Sequence, residues 1–239
     1  MNAEFTGFVC NDVDALRERV WMSDITIADQ HFYEEGAIVP EPKLWKPTTD
    51  QLKLFCATDS TPDNGTIELV AYSEKLRTFM DDNVEHWLPP TKCAPNQLTT
   101  TENTRNVNMR PGMHFDSLEH RPLAERLLSK RRIGLNTGPG MRFLLVGSVD
   151  AFGVTSTLGY DDTHKPITSD VRQYVAQQEA HPNHVEPLRC LWVLLQRGEA
   201  YLAPTENIVH DGSTAGMPQA STIHFRSIAP ERGSYKSIV

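Results

Sequence analysis

His114-Phe115-Asp116 and His210-Asp211-Gly212 supply three side chains of the right kinds to share one divalent metal ion. Two neutral imidazoles and one carboxylate can take one face of an octahedral iron(II) ion. Three positions then stay open for a co-substrate and dioxygen. In an extended segment alternate side chains share a side, so His114 and Asp116 point together while Phe115 points away. His210 comes from a distant stretch of chain, so only a fold that brings the chain back to the same place assembles the site.

The surroundings of these residues read as short strands and turns. Gly112 precedes the first pair, and residues 131–148 (RRIGLNTGPGMRFLLVGS) read as strand, Gly-Pro-Gly turn, strand. Residues 197–212 (RGEAYLAPTENIVHDG) read as tight turn, short strand, Pro, short strand, His, Gly. In that order, from about Asn106 onward, the chain resembles the iron(II)/2-oxoglutarate-dependent oxygenases. The resemblance implies a double-stranded β-helix, a jelly-roll or cupin-like core, with His114, Asp116 and His210 holding iron(II).

It also implies 2-oxoglutarate as co-substrate, chelating the metal through its keto-acid end. The other carboxylate of that molecule needs a cation, best an arginine with a two-pronged donor edge. On 220–227 (ASTIHFRS) Thr222, His224 and Arg226 share one face, and Arg226 is the first choice, with Thr222 beside it. Arg226 lies farther past His210 than is common in the family, and Ala220 stands where some members carry the arginine. Arg142, on the strand after the Gly-Pro-Gly turn, is the second choice, and Asn136 is a nearby hydrogen-bond donor. The implied reaction is oxidation of a C–H bond of a small amino-acid-like or natural-product molecule, with release of succinate and carbon dioxide. Because Asp116 keeps the carboxylate, halogenation is not expected. Among the other histidines, His120, His181, His184 and His224 read as structural.

The whole chain sets the bounds. Its 239 residues suffice for one sizeable core, and 39% hydrophobic with 23% charged residues is a soluble, globular composition. With 23 basic and 31 acidic side chains the formal charge is −8, which repels phosphate backbones and argues against nucleic acid as a partner. No apolar run approaches the ~20 residues that span a bilayer. The N-terminus lacks the basic start and apolar stretch of a secretory signal. Cys10, Cys56, Cys93 and Cys190 form no C-x-x-C pair and read as free thiols, which suits a cytoplasmic location.

The fold expected is therefore mainly β with flanking helices, in a single domain over 1–239. Residues 1–105 would form an outer layer of helices and a hairpin, and 106–239 the core. Helices are expected over 11–22 and 73–87, a hairpin over 52–72 around Pro62-Asp63-Asn64-Gly65, and a helical insertion over 169–180. Two other readings use the same residues. A cupin-like isomerase, lyase or co-substrate-free dioxygenase would need no arginine for 2-oxoglutarate. A non-catalytic β-sandwich binding module would hold no metal. Substrate identity, the kind of oxidation and the oligomeric state are not encoded in any motif found.

Overall fold

The computed structural model describes residues 8–9, 12–53, 55–56, 66–71, 87–103 and 109–228. The turn expected at 62–65 and the helix expected over 73–86 lie outside them. Asp12 caps the first helix, α1 (Val13–Glu18), its carboxylate accepting from the backbone N–H groups of Asp14 and Ala15 at 3.0 Å. The helix is shorter than the 11–22 expected. Val20, Trp21 and Met22 leave it to pair with a later strand, where a β-branched and an aromatic residue fit better. The order continues β1 (Val20–Ser23), β2 (Ile25–Ile27), β3 (Tyr33–Pro40), α2 (Thr49–Lys53), β4 (Glu68–Val70), β5 (Thr91–Cys93) and β6 (Arg110–Gly112). Where the first arm of the hairpin was expected, α2 and a turn stand instead, and only β4 is extended.

The second half follows the expected rhythm. A 3-10 turn (Leu123–Leu128) leads to β7 (Arg131–Asn136) and β8 (Arg142–Asp150). Helices α3 (Ala151–Thr157) and α4 (Thr168–Ala180) follow, then β9 (Cys190–Leu195), β10 (Ala200–Ala203), β11 (Ile208–Ser213) and β12 (Ser221–Ile228). Helix α4 is the expected insertion. Helix α3 went unread because a Gly and three β-branched residues weaken its helical signal.

The strands form three sheets, ordered β1-β9-β8-β11, β4-β10-β7-β12-β5 and β2-β3-β6. All pairings between named strands are antiparallel except β3 with β6. The two larger sheets share one core: Leu144, Val146, Leu191 and Val193 from the first meet Leu69, Tyr201, Ala203 and Ile223 from the second. The molecule is thus mainly β, in an arrangement compatible with a β-sandwich. Each fully buried aliphatic side chain in that core contributes about 1.5–3 kcal/mol.

Alternation along each strand decides which side chains enter the shared space. On β8, Arg142 lies on the side of Leu144 and Val146, while Phe143 and Leu145 join a separate core against α3 and α4. On β12, Ile223 and Phe225 face inward, so Thr222, His224 and Arg226 face the other way. The His224 ring accordingly meets Trp87, on the opposite side of the sheet, at 6.5 Å. On β7, Gly134 lies under the Tyr201 ring, where a Cβ would stand 2.5 Å from Cζ, so only glycine admits that tyrosine.

Candidate metal centre

Two chain segments meet to build the site. Strand β6 runs parallel to β3 and ends at Gly112, whose φ is +72°, a region that favours glycine. A Cβ there would collide with the Ile38 carbonyl oxygen. The turn delivers His114 to the free edge of β11. His114 N–H donates to His210 O at 3.0 Å, and His210 N–H returns the bond to His114 O at 2.9 Å. One residue pair farther, Asp116 N–H donates to Thr205 O at 3.0 Å. The backbone alone therefore sets the two imidazoles side by side, with ring centroids 4.8 Å apart.

The side chains converge as the residue types promised. One ligand atom from each of His114, Asp116 and His210 lies within 4.8 Å of the others. His114 Nε2 is 3.7 Å from Asp116 Oδ1, and His210 Nε2 is 3.8 Å from Oδ2. Both rings are oriented from behind: His114 Nδ1 donates to Gly112 O at 2.8 Å, and His210 Nδ1 lies 3.2 Å from Ile208 O. With Nδ1 as the donor, each Nε2 keeps its lone pair for the centre, the tautomer a metal requires.

Charge favours the same use. Burial alone would raise the Asp116 carboxyl, but His114, His210 and Arg132 together hold it far below the usual carboxylate range. Burial lowers His210 to about 4, so it is neutral at ordinary pH. Burial also pulls His114 down, yet Asp116 and Asp211 outweigh it and raise that ring. Arg132 Nη1 lies 2.9 Å from Asp116 Oδ2 without the alignment of a hydrogen bond, so the oxygen is buried and incompletely satisfied. A cation fits this donor set, in which two neutralisable nitrogens surround an anionic oxygen.

Around the ligands stands a shell that the sequence reading did not single out for these roles. Asp211 is 1% exposed, and its Oδ1 accepts from Thr100 N, Thr101 N, Thr101 Oγ1 and Gly212 N. Its Oδ2 has no hydrogen-bond partner and lies 3.8 Å from His114 Nδ1. Arg126, also 1% exposed, joins both ligand-bearing segments: Nη2 donates to Asp116 O at 2.8 Å and Nε to Glu206 O. In the fold it is buried against Phe115, whose ring centroid is 5.7 Å away.

The expected grip on a carboxylate divides differently from the expectation. Arg226 and Thr222 are turned away from the shared core by strand alternation, so neither meets the triad. Asn136 is fully buried but engaged: its amide nitrogen donates to Gly140 O and Leu195 O, and its oxygen accepts from Gly138 N. It holds the Gly-Pro-Gly turn rather than a ligand.

Arg142 is the one that enters the core. It is 1% exposed, with Nη1 on the Cys93 thiol at 3.4 Å and Nη2 on Thr100 Oγ1 at 3.0 Å. Its Nε has no hydrogen-bond partner, and no carboxylate pairs with it among the described residues. Gly212, two residues past His210, clears room for it, since a Cβ there would strike Nη2.

Tyr201 closes the group. Burial raises its phenol to about 12, with Arg142, Arg132, Asp116 and Asp211 all near enough to act on it. Its hydroxyl makes no hydrogen bond to a described residue. A signal for it existed in the sequence, a Tyr that must face a Gly across two strands, but register is not readable before pairing. The remaining histidines behave as expected: His120, His181 and His184 are exposed and lie outside the cluster. No family model, curated protein or solved structure matches this chain.

Proposed function

We propose that this protein is an iron(II)/2-oxoglutarate-dependent oxygenase built on a double-stranded β-helix. It would act on a small molecule with dioxygen as co-substrate. The observation that carries the reading is a pair: a buried His-Asp-His face, and a buried guanidinium without a carboxylate. A desolvated charge costs several kcal/mol unless an anion meets it. Arg142 points into the same core as His210 and has Thr100 as a hydroxyl neighbour, which suits a dicarboxylate bound between metal and arginine.

In this reading His114, Asp116 and His210 hold the iron and Arg142 takes the far carboxylate of 2-oxoglutarate. Tyr201 has a free hydroxyl to donate to the same anion. Iron(II) and 2-oxoglutarate bound there would let dioxygen act as the oxidant of a C–H bond, with 2-oxoglutarate itself oxidised to succinate and carbon dioxide. The chain itself binds, orients and excludes water. Arg132 keeps Asp116 ionised and restrains Oδ2, which favours single-oxygen ligation. The Gly112 carbonyl fixes His114 from behind, with the Asp211 carboxylate 3.8 Å from the same nitrogen, and the burial of His210 keeps it unprotonated.

The test is anaerobic titration of the purified protein with iron(II) and then 2-oxoglutarate. A visible charge-transfer band is expected, together with succinate formation in air. His114→Ala and His210→Ala should each abolish the band. Arg142→Met should keep iron but require far more 2-oxoglutarate. Iron binding with no response to 2-oxoglutarate would point to a cupin-like metalloenzyme. No metal binding at all would leave a β-sandwich binding module.

A further inference from the structure

Strands β3 and β6, which deliver His114, also form one wall of an open cleft of about 350 Å³. Gln30, Phe32, Tyr33, Gln97, Leu98 and Arg110 line it. That volume is at the small-molecule end of ligand sites. Arg110 opens β6, four residues before His114 and on the other side of the Gly112 turn. The facing wall, Gln97 and Leu98, continues directly into Thr100 and Thr101, which contact Arg142 and Asp211. Two of the chain segments that line the cleft thus run on into residues at or beside the metal centre.

The chemistry of the lining is specific. The His31 and Phe32 rings meet edge to face with centroids 5.7 Å apart, and Phe32 lies tilted against Tyr33 at 4.9 Å. Phe32 is 38% exposed, so its ring is open to the cleft's solvent. The Arg110 guanidinium lies over the Phe32 ring at 5.4 Å, and Arg110 N–H donates to Phe32 O at 2.9 Å. Stacking on a ring face uses the flat side of a guanidinium and leaves its donor edge free. No side-chain hydrogen bond to a described residue occupies that edge. The nearest carboxylate, Glu102, is 4.0 Å away and largely exposed. Gln30 and Gln97 add amide donors and acceptors at the rim.

We propose that this cleft holds the anionic end of the substrate: a small molecule with a carboxylate next to a flat, conjugated group. The Arg110 edge takes the carboxylate, and the flat group lies against Phe32. The proposal rests on the oxygenase reading above for the fate of the molecule, and on the cleft alone for its binding.

The experiment uses the full chain with iron(II) and 2-oxoglutarate under anaerobic conditions, probed by ligand-observed NMR with benzoate and with its neutral analogue benzamide. Benzoate is expected to bind at least tenfold more tightly than benzamide and to persist in excess 2-oxoglutarate. Arg110→Gln should weaken benzoate tenfold or more, and Phe32→Ala several-fold. Neither should change the charge-transfer band, which separates this test from that of the metal centre. Absence of benzoate binding, equal binding of the two probes, or unchanged affinity in Arg110→Gln would overturn the proposal. So would displacement of benzoate by 2-oxoglutarate, since the probe would then lie beside Arg142. Benzoate binding lost in Arg110→Gln, in a protein that gives no band, would keep the cleft and remove the oxygenase reading.

Discussion

Arg131 and Arg142 are both buried in sheets of this molecule, at 0% and 1% exposure, yet they are solved in opposite ways. Arg131, on β7, turns away from the shared core and forms a close ion pair with Glu68 of β4. Arg142, on β8, turns into the core and, among the described residues, hydrogen-bonds only to a thiol and a hydroxyl. A guanidinium closed by its own carboxylate is part of the fold. One left with neutral partners in a dry interior holds an electrostatic cost that a bound anion can offset. The difference locates function more sharply than burial or charge does separately.

The comparison breaks most visibly at Glu68. Glu68→Leu strands a buried cation, and should lower unfolding free energy by about 3–5 kcal/mol in urea titrations. Adding Arg131→Met should recover most of that loss, because the charge and its partner then leave together. Arg142→Met removes no carboxylate's partner, so stability should change by no more than about 1–2 kcal/mol, the worth of the two lost hydrogen bonds. Equal destabilisation by Glu68→Leu and Arg142→Met would erase the distinction.

The anion side of the same comparison comes next. Losing one partner of a buried charge pair costs about 2–5 kcal/mol of binding. Arg142→Met should therefore weaken 2-oxoglutarate by at least about 30-fold, while Arg131→Met in the paired double variant leaves it unchanged. Calorimetric titration of the iron-loaded protein reads both.

Arg126 is a third buried arginine and sharpens the contrast, because its partners are the backbone carbonyls of the two ligand-bearing segments. Arg126→Met should leave the fold but loosen the site, weakening iron or cobalt by about 10–100-fold, as loss of an outer partner does. A pH series completes the picture. Metal must displace the proton from His114, whose ring is raised by Asp116 and Asp211 against the pull of burial. Cobalt affinity should therefore begin to fall above the ordinary histidine range and keep falling as pH drops through it, about tenfold per unit while one proton is released. A flat profile would mean that His114 is not a ligand.

How much of this was legible beforehand follows from what each signal depends on. His114, Asp116 and His210 were readable because ligand chemistry restricts residue type, and because alternation is local to a strand. The strands β7 to β12 were readable from turns such as Gly138-Pro139-Gly140 that punctuate them. The arginine was not. Whether Arg142 or Arg226 enters the core depends on which face of each sheet is covered, and a strand with apolar residues in one set and polar ones in the other does not say what lies over the polar set. The surroundings of Asn136 were not legible for a related reason: its three side-chain hydrogen bonds go to Gly138, Gly140 and Leu195, and the last exists only once the chain has brought β9 beside it. Tyr201, Arg126 and Asp211 needed register and return of the chain, which no local pattern encodes.

The smallest expected effect is also the most discriminating for that lesson. Arg226 was the first choice for 2-oxoglutarate from its strand and its neighbour Thr222, despite its long spacing from His210, and by alternation it lies across the sheet from the triad, with Ile223 and Phe225 between. Arg226→Ala should then shift 2-oxoglutarate affinity by less than about twofold, since charges separated by a sheet and partly solvated are screened. A loss comparable to that of Arg142→Met would require β12 to slip by one residue. Such a slip would turn Arg226 inward and Ile223 outward. It would also break the pairing of Phe225 with Gly134, so the register of β12 and the identity of the anion-binding arginine stand or fall on one measurement.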